Sequence, residues 1–255
     1  MSAVKTRTVP ALDRALTMLE LLSRSRSGMT LPELAEQTNL PRSSAHYLLV
    51  TLERRGYLQR NQRTSRYLFG GQALELAGSI LPSLGIRQVA SPFLLRLATQ
   101  TGLTAHLAVR ERYAAVLIAK CEGPRPERLP TWVGRRFSLH STSLGKAMLA
   151  HLPAGELEAL LAAHPLARHN QHTMVSPKRV QEEAARVAAA GYALDNEEEE
   201  LGLRCVGAPV RHGDRVLAAV SVCGLAEAWD AGRLQELAGQ LQHTAAQLAA
   251  VLSET

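Results

Sequence analysis

Several features that mark other classes of protein are missing from this chain of 255 residues. No stretch holds the roughly 18 consecutive apolar residues of a transmembrane helix, and the amino terminus has no apolar signal core. We therefore expect a cytoplasmic protein with no membrane partner. Only three cysteines are present, Cys121, Cys205 and Cys223, and none forms a C-x-x-C pair. Their odd number argues against a disulfide framework, and a reducing compartment fits best.

Motifs for catalysis and for metal binding are also missing. The segment STSLG around Ser143 lacks the leading glycine of a G-x-S-x-G elbow, so we expect no enzyme and no catalytic residue. Possible metal ligands are scattered: His140, His169, His172, Asp195, Cys205 and Cys223. Because these residues form no compact cluster of the usual spacing, we expect no metal or cofactor. A metal-responsive regulator that uses them remains the alternative function.

The charge of the chain is unevenly distributed. Residues 1–70 hold 11 basic and 5 acidic side chains, a net charge of +6, whereas residues 71–255 hold 18 of each. The whole basic excess therefore lies in the first part of the chain. Because proteins that neutralise phosphates are basic in this way, we predict that residues 1–70 bind double-stranded DNA.

Residues 30–69 have the pattern of a winged helix-turn-helix. Thr30 and Glu33 have the spacing of a capping box, which predicts a first helix over residues 31–38. After a turn, Pro41 supplies the fixed φ of a first helical residue. In domains of this kind the second helix lies in the major groove, so we predict that it reads base edges.

The two faces of this second helix differ in character. One face carries an apolar stripe at helical spacing: Ala45, Leu48, Leu49 and Leu52. The other carries polar side chains long enough to reach bases: Arg42, Ser43, Ser44, His46 and Tyr47. We predict that these five residues contact DNA. The ordinary alternative is a solvated basic subdomain.

A hairpin is predicted after the second helix, between residues 57 and 69, with a polar turn in its middle. This hairpin would be the wing, and its basic residues Arg63 and Arg66 are predicted to contact the DNA backbone. Lys5 and Arg7 form a further candidate, a basic arm for the minor groove.

A linker helix is predicted over residues 71–85, between a DNA-binding domain of residues 1–70 and a second domain of residues 86–255. Apolar residues on this helix, Leu74 and Leu76 among them, need a partner surface. They are therefore a candidate contact between two copies of the chain.

The second domain alternates between helical and strand patterns. Strands are predicted at residues 104–109, 114–120, 192–194, 205–211 and 215–223. Helices are predicted at residues 86–101, 141–152, 155–163, 177–191 and 231–252. The predicted fold class is therefore α+β, with a mostly antiparallel sheet in the second domain.

The order of several sequence blocks resembles that of the IclR family of bacterial transcriptional regulators. The blocks are ALDRALTMLELL, LPRSSAHYLLVTLERRGYL, EGPRP, VGRRFSLHSTSLGKAML, GYALDNEEEELGLRCVGAPV and RVLAAVSVCG. The resemblance covers nearly the whole chain. It implies a GAF-like second domain that binds a small-molecule effector. It also implies a homodimer or homotetramer that binds a palindromic operator, as repressor or activator.

The resemblance further implies which residues bind the effector. Matching the family's motifs position by position gives Ser143, Leu144, Asp195, Cys205, Ser221 and Cys223. Ser143 stands where many members carry a smaller or apolar residue, and Cys223 often corresponds to serine. Because of these departures, the identity of the effector does not carry over.

Physical arguments favour a pocket at the same positions. Residues 141–145 lie at a predicted helix start, where free amides and the helix dipole favour an anion. A carboxylate would fit there, so a small organic or aromatic acid is the expected effector. Alternatively, Ser141 or Thr142 only caps its own helix.

The other candidates lie on predicted strands. Ser221 and Cys223 alternate with apolar residues and so share one face, which Cys205 is expected to join from a neighbouring strand. A buried thiol is most often an ordinary core residue. Asp195 precedes the acidic run 197–200, and such runs usually face solvent. We still expect Asp195 to turn inward after an apolar strand, where a ligand would supply its partner.

Overall fold

The computed structural model of the protein describes residues 9–25, 27–80, 85–124 and 129–253. It divides into two compact units, residues 1–83 and 84–255. No helix within the described residues is long and apolar enough to cross a membrane. The candidate arm at Lys5 and Arg7 lies outside the described residues, as do residues 81–84 of the predicted linker.

The first unit is a helix-turn-helix with a small antiparallel sheet. Its elements are α1 (Pro10–Ser23), β1 (Met29–Thr30), α2 (Leu31–Gln37), α3 (Arg42–Arg54), β2 (Leu58–Arg60), β3 (Arg66–Phe69) and α4 (Gly71–Ile80). The strands pair in the order β1-β3-β2. The winged arrangement predicted from the sequence is therefore confirmed.

The start of α2 is fixed by the predicted capping box. The Thr30 hydroxyl accepts a hydrogen bond from the Glu33 amide at 3.4 Å, and the Glu33 carboxylate accepts one from the Thr30 amide at 2.7 Å. Pro41, in contrast, is not the first residue of α3 as predicted. It has φ −55° and ψ 140° and precedes the helix as its N-cap residue, because its fixed φ suits an extended residue as well as a helical one.

The apolar stripe of α3 faces the core of the first unit. Ala45 and Leu49 are fully buried, and Leu48 and Leu52 pack against the same cluster. Strand β1 was not predicted, since it is only two residues long and too short for an alternating pattern.

The second unit has a six-stranded sheet with helices on both faces. Its elements are α5 (Gly85–Thr101), β4 (Thr104–Glu111), β5 (Ala114–Cys121), β6 (Arg136–Ser138), α6 (Ser143–Leu149), α7 (Ala154–Ala163), α8 (Pro177–Ala190), β7 (Ala193–Asn196), β8 (Leu203–His212), β9 (Arg215–Leu225), a 3₁₀ turn (Ala226–Ala228) and α9 (Ala231–Ser253). The strand order is β6-β5-β4-β9-β8-β7, and every pairing is antiparallel. The predicted α+β fold class is confirmed.

The sheet separates two apolar clusters. Helices α5 and α9 cover one face through large buried residues such as Leu97 and Leu241. On the other face, α6 and α8 pack with residues such as Met148 and Val187. Helix α6 approaches β8 closely at Gly207, where an added Cβ would lie 3.0 Å from the Ser143 carbonyl oxygen. Glycine at this position therefore lets the helix lie directly on the sheet.

Two local predictions in the second unit were wrong. Strand β6 was missed because it is three residues long and has two polar members. Helix α6 begins at Ser143, not at residue 141, and ends at Leu149. Ser176 takes the predicted N-cap position of α8, although its side chain makes no capping hydrogen bond.

Candidate functional site

The predicted DNA-contacting face of α3 is a surface of the first unit. Its five residues, which we call the reader face, are all exposed: Arg42, Ser43, Ser44, His46 and Tyr47. Tyr47 is 73% exposed although it is a large aromatic residue. The helix packs through its opposite stripe, so these side chains project from a rigid element. Exposed polar side chains on a rigid helix suit contacts to base edges.

The wing uses its two arginines differently. Arg63 is exposed, and its backbone amide donates to the Asn61 side chain at 2.9 Å within the turn. The Arg66 guanidinium instead donates to the Gly28 carbonyl at 2.7 Å and to both Glu33 carboxylate oxygens at 3.2 and 3.3 Å. The Arg66 guanidinium therefore joins β3 to the capping box of α2, and its contact with the DNA backbone stays a prediction. Sequence spacing gave no sign of the contact between Arg66 and Glu33 across 33 residues.

All six predicted effector-binding residues line one pocket of the second unit: Ser143, Leu144, Asp195, Cys205, Ser221 and Cys223. The pocket has a volume of about 50 Å³. It lies between the amino-terminal end of α6 and the sheet. Phe137, Leu203 and Pro130 add apolar walls.

The register of the sheet explains why residues distant in sequence meet here. Asp195 on β7 lies opposite Cys205 on β8, which lies opposite Cys223 on β9. Ser221 is two residues from Cys223 along β9 and pairs with His106 on β4. Because residues two apart on a strand share one face, all five side chains lie on the same face of the sheet.

The start of α6 resolves one of the alternatives. The Thr142 hydroxyl accepts a hydrogen bond from the Gly145 amide at 3.1 Å and donates one to the Ser138 carbonyl. Thr142 therefore caps its own helix. The Ser141 hydroxyl donates to the Glu199 carboxylate at 2.6 Å, so it too is already engaged.

Two other hydroxyls in the pocket are different. Ser143 is 1% exposed and Ser221 is 2% exposed. Within the described part of the chain, neither side-chain hydroxyl has a hydrogen-bond partner, although both line the pocket. Because buried hydroxyls are normally hydrogen-bonded, these two groups are suited to a polar ligand.

Arg135 brings a positive charge to the pocket wall. Its guanidinium lies over the rings of Trp132 and Phe137, at 5.2 and 4.6 Å from their centroids. Its ion pair with Glu199 is long, at 3.9 Å. Glu199 is closer to Ser141 and to His169, at 2.6 and 3.3 Å. Two aromatic rings therefore hold the cation in place while its charge is only loosely paired.

Burial shifts the pKa values of two titratable groups on the sheet face, His106 and Asp195, toward their neutral forms. Burial lowers the pKa of His106 to about 3, helped by the positive charges of Lys120 and Arg135. Burial also raises the pKa of Asp195 to about 7, against the opposing effect of hydrogen bonds from the Glu198 and Glu199 amides. Asp195 turns inward as expected, but backbone amides already serve one of its oxygens.

A buried ion pair lies behind the pocket. The Lys146 side chain is 3% exposed, donates to the Leu194 carbonyl at 2.8 Å, and contacts the carboxylates of Glu198 and, at 3.6 Å, Glu183. Burial raises the pKa of Glu198 despite the nearby lysine. The expectation that the whole acidic run 197–200 faces solvent was therefore wrong, because Glu198 turns inward to meet Lys146.

The two pocket cysteines are bonded to each other. Cys205 and Cys223 lie opposite each other with a Cα–Cα distance of 4.2 Å, and their sulfur atoms form a disulfide. The argument against a disulfide framework is therefore corrected to one disulfide. An odd number of cysteines excludes full pairing but says nothing about a single pair, and only the register of β8 and β9 brings these two together. Cys121 is free.

Sequence reasoning missed several residues of the site, among them four charged or titratable ones. Lys146 was the most recognisable, because it is the one charged residue in the block SLGKAML. His106 stands inside a predicted strand among apolar neighbours, which is a weaker signal. Arg135 and Glu198 gave none, since each has charged neighbours in sequence and only the fold distinguishes it from them.

A metal site finds little support in the geometry. Among the residues that the structure describes, no three or more His, Cys, Asp and Glu side chains are grouped to hold a metal ion. Cys205 and Cys223, the two sulfur ligands of that alternative, are bonded to each other.

Comparison with known proteins places both units in one family. Residues 11–62 match the IclR helix-turn-helix domain, and residues 78–250 match the bacterial transcriptional regulator IclR C-terminal domain. The HTH-type transcriptional regulator XynR of Escherichia coli (strain K12) is 33% identical over 245 residues, which are 96% of this chain and 97% of XynR.

Solved structures agree with this. The crystal structure of Thermotoga maritima IclR has a TM-score of 0.76 and 30% sequence identity, and the match covers 95% of this chain and 98% of that one. An IclR homologue from Microbacterium hydrocarbonoxydans, complexed with 4-hydroxybenzoate, has a TM-score of 0.79 at 24% identity and covers 96% and 100% of the two chains. The names of these relatives describe them as transcriptional regulators, in agreement with the expectation that the chain is not an enzyme. The chain belongs to the IclR family of transcriptional regulators, with a DNA-binding helix-turn-helix unit followed by a ligand-binding unit.

Proposed function

We propose that this protein is a sequence-specific transcriptional regulator controlled by a small organic or aromatic acid bound in the pocket of the second unit. The observation that carries the proposal is the convergence of Arg135 with the unpartnered hydroxyls of Ser143 and Ser221 on one pocket wall. Phe137, Leu144 and Leu203 add apolar surface, and Asp195, Glu199 and Glu200 add carboxyl groups.

The chemistry of these groups favours an acid. A guanidinium and two hydroxyls are hydrogen-bond donors that match the oxygens of a carboxylate, and bonds to a charged acceptor are the stronger kind. The apolar side chains of Phe137 and Leu144 suit a ring or a short hydrocarbon. The homologue complexed with 4-hydroxybenzoate supports the same class of ligand.

We further propose that the reader faces of two copies bind the two halves of a palindromic operator. A two-fold dimer places two such helices about one helical turn of DNA apart, and a tetramer would bind two such sites. Leu74 on α4 is 77% exposed, which supports a contact between copies there. Effector binding would shift the equilibrium between two arrangements of the two reader faces. The free energy of this shift cannot exceed the difference between the effector's binding free energies for the two arrangements.

The first experiment tests the DNA arm. Purified protein is incubated with a randomised double-stranded DNA library at moderate salt, and the bound fraction is sequenced. We expect an enriched palindrome. Salt-sensitive binding with no enriched sequence, both without ligand and with a panel of acids, would overturn the proposal.

The second experiment tests the acid arm. Benzoate, 4-hydroxybenzoate and lactate are titrated into the protein by calorimetry, and the acid that binds best is then titrated into Arg135→Gln. We expect about tenfold weaker binding, the loss of one charge-assisted hydrogen bond. Arg136→Gln is the matched control, because Arg136 is adjacent, exposed and paired with Glu111 outside the pocket. Equal affinities of the two variants would remove Arg135 from the site.

A further inference from the structure

The pair Cys205 and Cys223 is placed by strand register, not by a flexible loop. The two residues face each other on adjacent strands β8 and β9, and both belong to the wall of the pocket. Bonds between them can therefore form or break while the backbone pairing of β8 and β9 persists. Forming or breaking the S–S bond therefore changes the wall of the pocket directly.

The two cysteines differ in their exposure. Cys223 is 4% exposed, whereas Cys205 is only partly buried. A small reagent that enters the pocket reaches Cys205 first and leaves Cys223 as the resolving partner. Cys121, on β5, is not part of the pocket wall, and burial raises the pKa of its thiol. It is therefore a natural internal control, since thiolates are the reactive form.

The setting also favours a redox role. A regulator acts on DNA, in a compartment where thiols are kept reduced, and disulfides formed there are usually transient and redox-sensing. We propose that Cys205 and Cys223 form a redox site, a dithiol that a small peroxide oxidises to the disulfide within the wall of the pocket.

The chemistry balances with one peroxide. The Cys205 thiolate attacks one oxygen of hydrogen peroxide, the O–O bond breaks, and the sulfur becomes a sulfenic acid while the departing hydroxide takes the thiol proton as water. The Cys223 thiol then attacks that sulfur, the S–S bond forms, and the sulfenic oxygen leaves as a second water. Two thiols are oxidised and one peroxide is reduced. A thiol reductant reverses the step by exchange.

Oxidation changes what the pocket offers a ligand. It removes two weak S–H donors and draws the two sulfur atoms together to about 2 Å. In a pocket of about 50 Å³ both changes matter, so the oxidised form binds an acid more weakly. This consequence rests on the proposed function, whereas the redox site itself does not.

The test uses the full chain with Cys121→Ser, so that only the two pocket cysteines remain. The protein is reduced with dithiothreitol while folded, desalted, titrated with hydrogen peroxide, and analysed by thiol counting and peptide mass. We expect one peroxide to remove two thiols, with a loss of 2 Da in a cross-linked pair of peptides. Dithiothreitol should restore both thiols. In Cys121→Ser/Cys223→Ser a sulfenic acid should persist on Cys205 and react with dimedone.

Three outcomes would overturn the site: gains of 16 or 32 Da without a cross-link, a disulfide that dithiothreitol cannot reduce in the folded protein, or oxidation no faster than that of Cys121 in Cys205→Ser/Cys223→Ser. The ligand arm titrates 4-hydroxybenzoate and lactate into both redox forms, with at least fivefold weaker binding expected after oxidation. Equal affinities would contradict the effect on the pocket. Absence of binding to both forms would count against the acid effector alone, since the chemical arm decides the redox site independently.

Discussion

The two sites of this protein treat polar side chains in opposite ways. On the reader face, Arg42 and His46 stand in solvent, and within the described residues neither takes part in an ion pair. Asp195 in the pocket and Lys146 behind it are almost completely buried, and burial shifts the pKa of Asp195 to about 7. A surface that reads DNA keeps its groups free for the partner, whereas a ligand pocket must satisfy its charges from within the fold.

The difference sets what each substitution does. Removing a reader side chain leaves nothing unpaired in the protein, so the effect is expected in DNA binding. Removing a pocket charge leaves its buried partner unpaired, so the effect is expected in stability as well. Four predictions, from the largest effect to the smallest, examine this contrast.

The largest effect is expected at Lys146. Lys146→Met leaves Glu198 buried without its counter-charge and should lower the free energy of unfolding by about 3–5 kcal/mol, measured by urea denaturation. Adding Glu198→Gln should recover part of the loss, because a neutral amide needs no counter-charge. The control is Lys178→Met, whose pair with Glu182 is exposed, with a change within about 0.5 kcal/mol. Similar losses of unfolding free energy in both lysine variants would contradict the expected difference between buried and exposed ion pairs.

The second effect depends on pH. The folded-state pKa of Asp195 is raised from 3.8 to about 7, so between these values the unfolded chain loses the proton first and stability falls as pH rises. Asp195→Asn removes that loss. Its advantage over the parent should be near zero below pH 4 and reach at most ~4 kcal/mol above pH 7.

Urea denaturation of both proteins at several pH values between 4 and 8 measures this advantage. Asp214→Asn is the control, because Asp214 is fully exposed on the β8–β9 turn, and its variant should follow the parent at every pH. An advantage of Asp195→Asn that does not change with pH would mean that the carboxyl is charged in the pocket.

The third effect concerns the reader face. Arg42→Ala should lower the preference for the operator over random DNA by about 1–3 kcal/mol, the loss of one base contact. Binding titrations at one salt concentration measure it. Arg54→Ala, in the last turn of the same helix, carries the same charge change and should keep the preference. An unaltered preference in Arg42→Ala would show that the start of α3 does not read bases.

The smallest effect separates the two wing arginines. Arg63→Ala should reduce the slope of log affinity against log salt by about one, the loss of one phosphate contact. Arg66→Ala should reduce it less, because that guanidinium is held by Glu33 and Gly28, and should instead lower the melting temperature slightly. If the two slopes fell equally, Arg66 would have to leave its ion pair when DNA binds.

Local patterns in the sequence were enough where the physics is local. The Thr30–Glu33 capping box, the apolar stripe of α3 and the polar turn of the wing involve residues close in sequence. Periodicity therefore predicted correctly which face of α3 is buried and which is exposed. It failed for β1 and β6, whose two and three residues are too few for a period, and gave no sign of the ion pair of Arg66, whose partner is 33 residues away.

The resemblance of motifs predicted six residues that line the pocket. It did not predict the disulfide between two of them or the raised pKa of Asp195. The sequence by itself determined the helix-turn-helix, the α+β class and the separation of charge between the two parts of the chain, because these follow from composition and short-range spacing. Only the tertiary structure decided that Arg135 lies over two rings and that Lys146 meets Glu198. It also decided that Cys205 faces Cys223. These contacts join residues separated by up to 52 positions, and sheet register and helix packing, not local preference, bring such residues together.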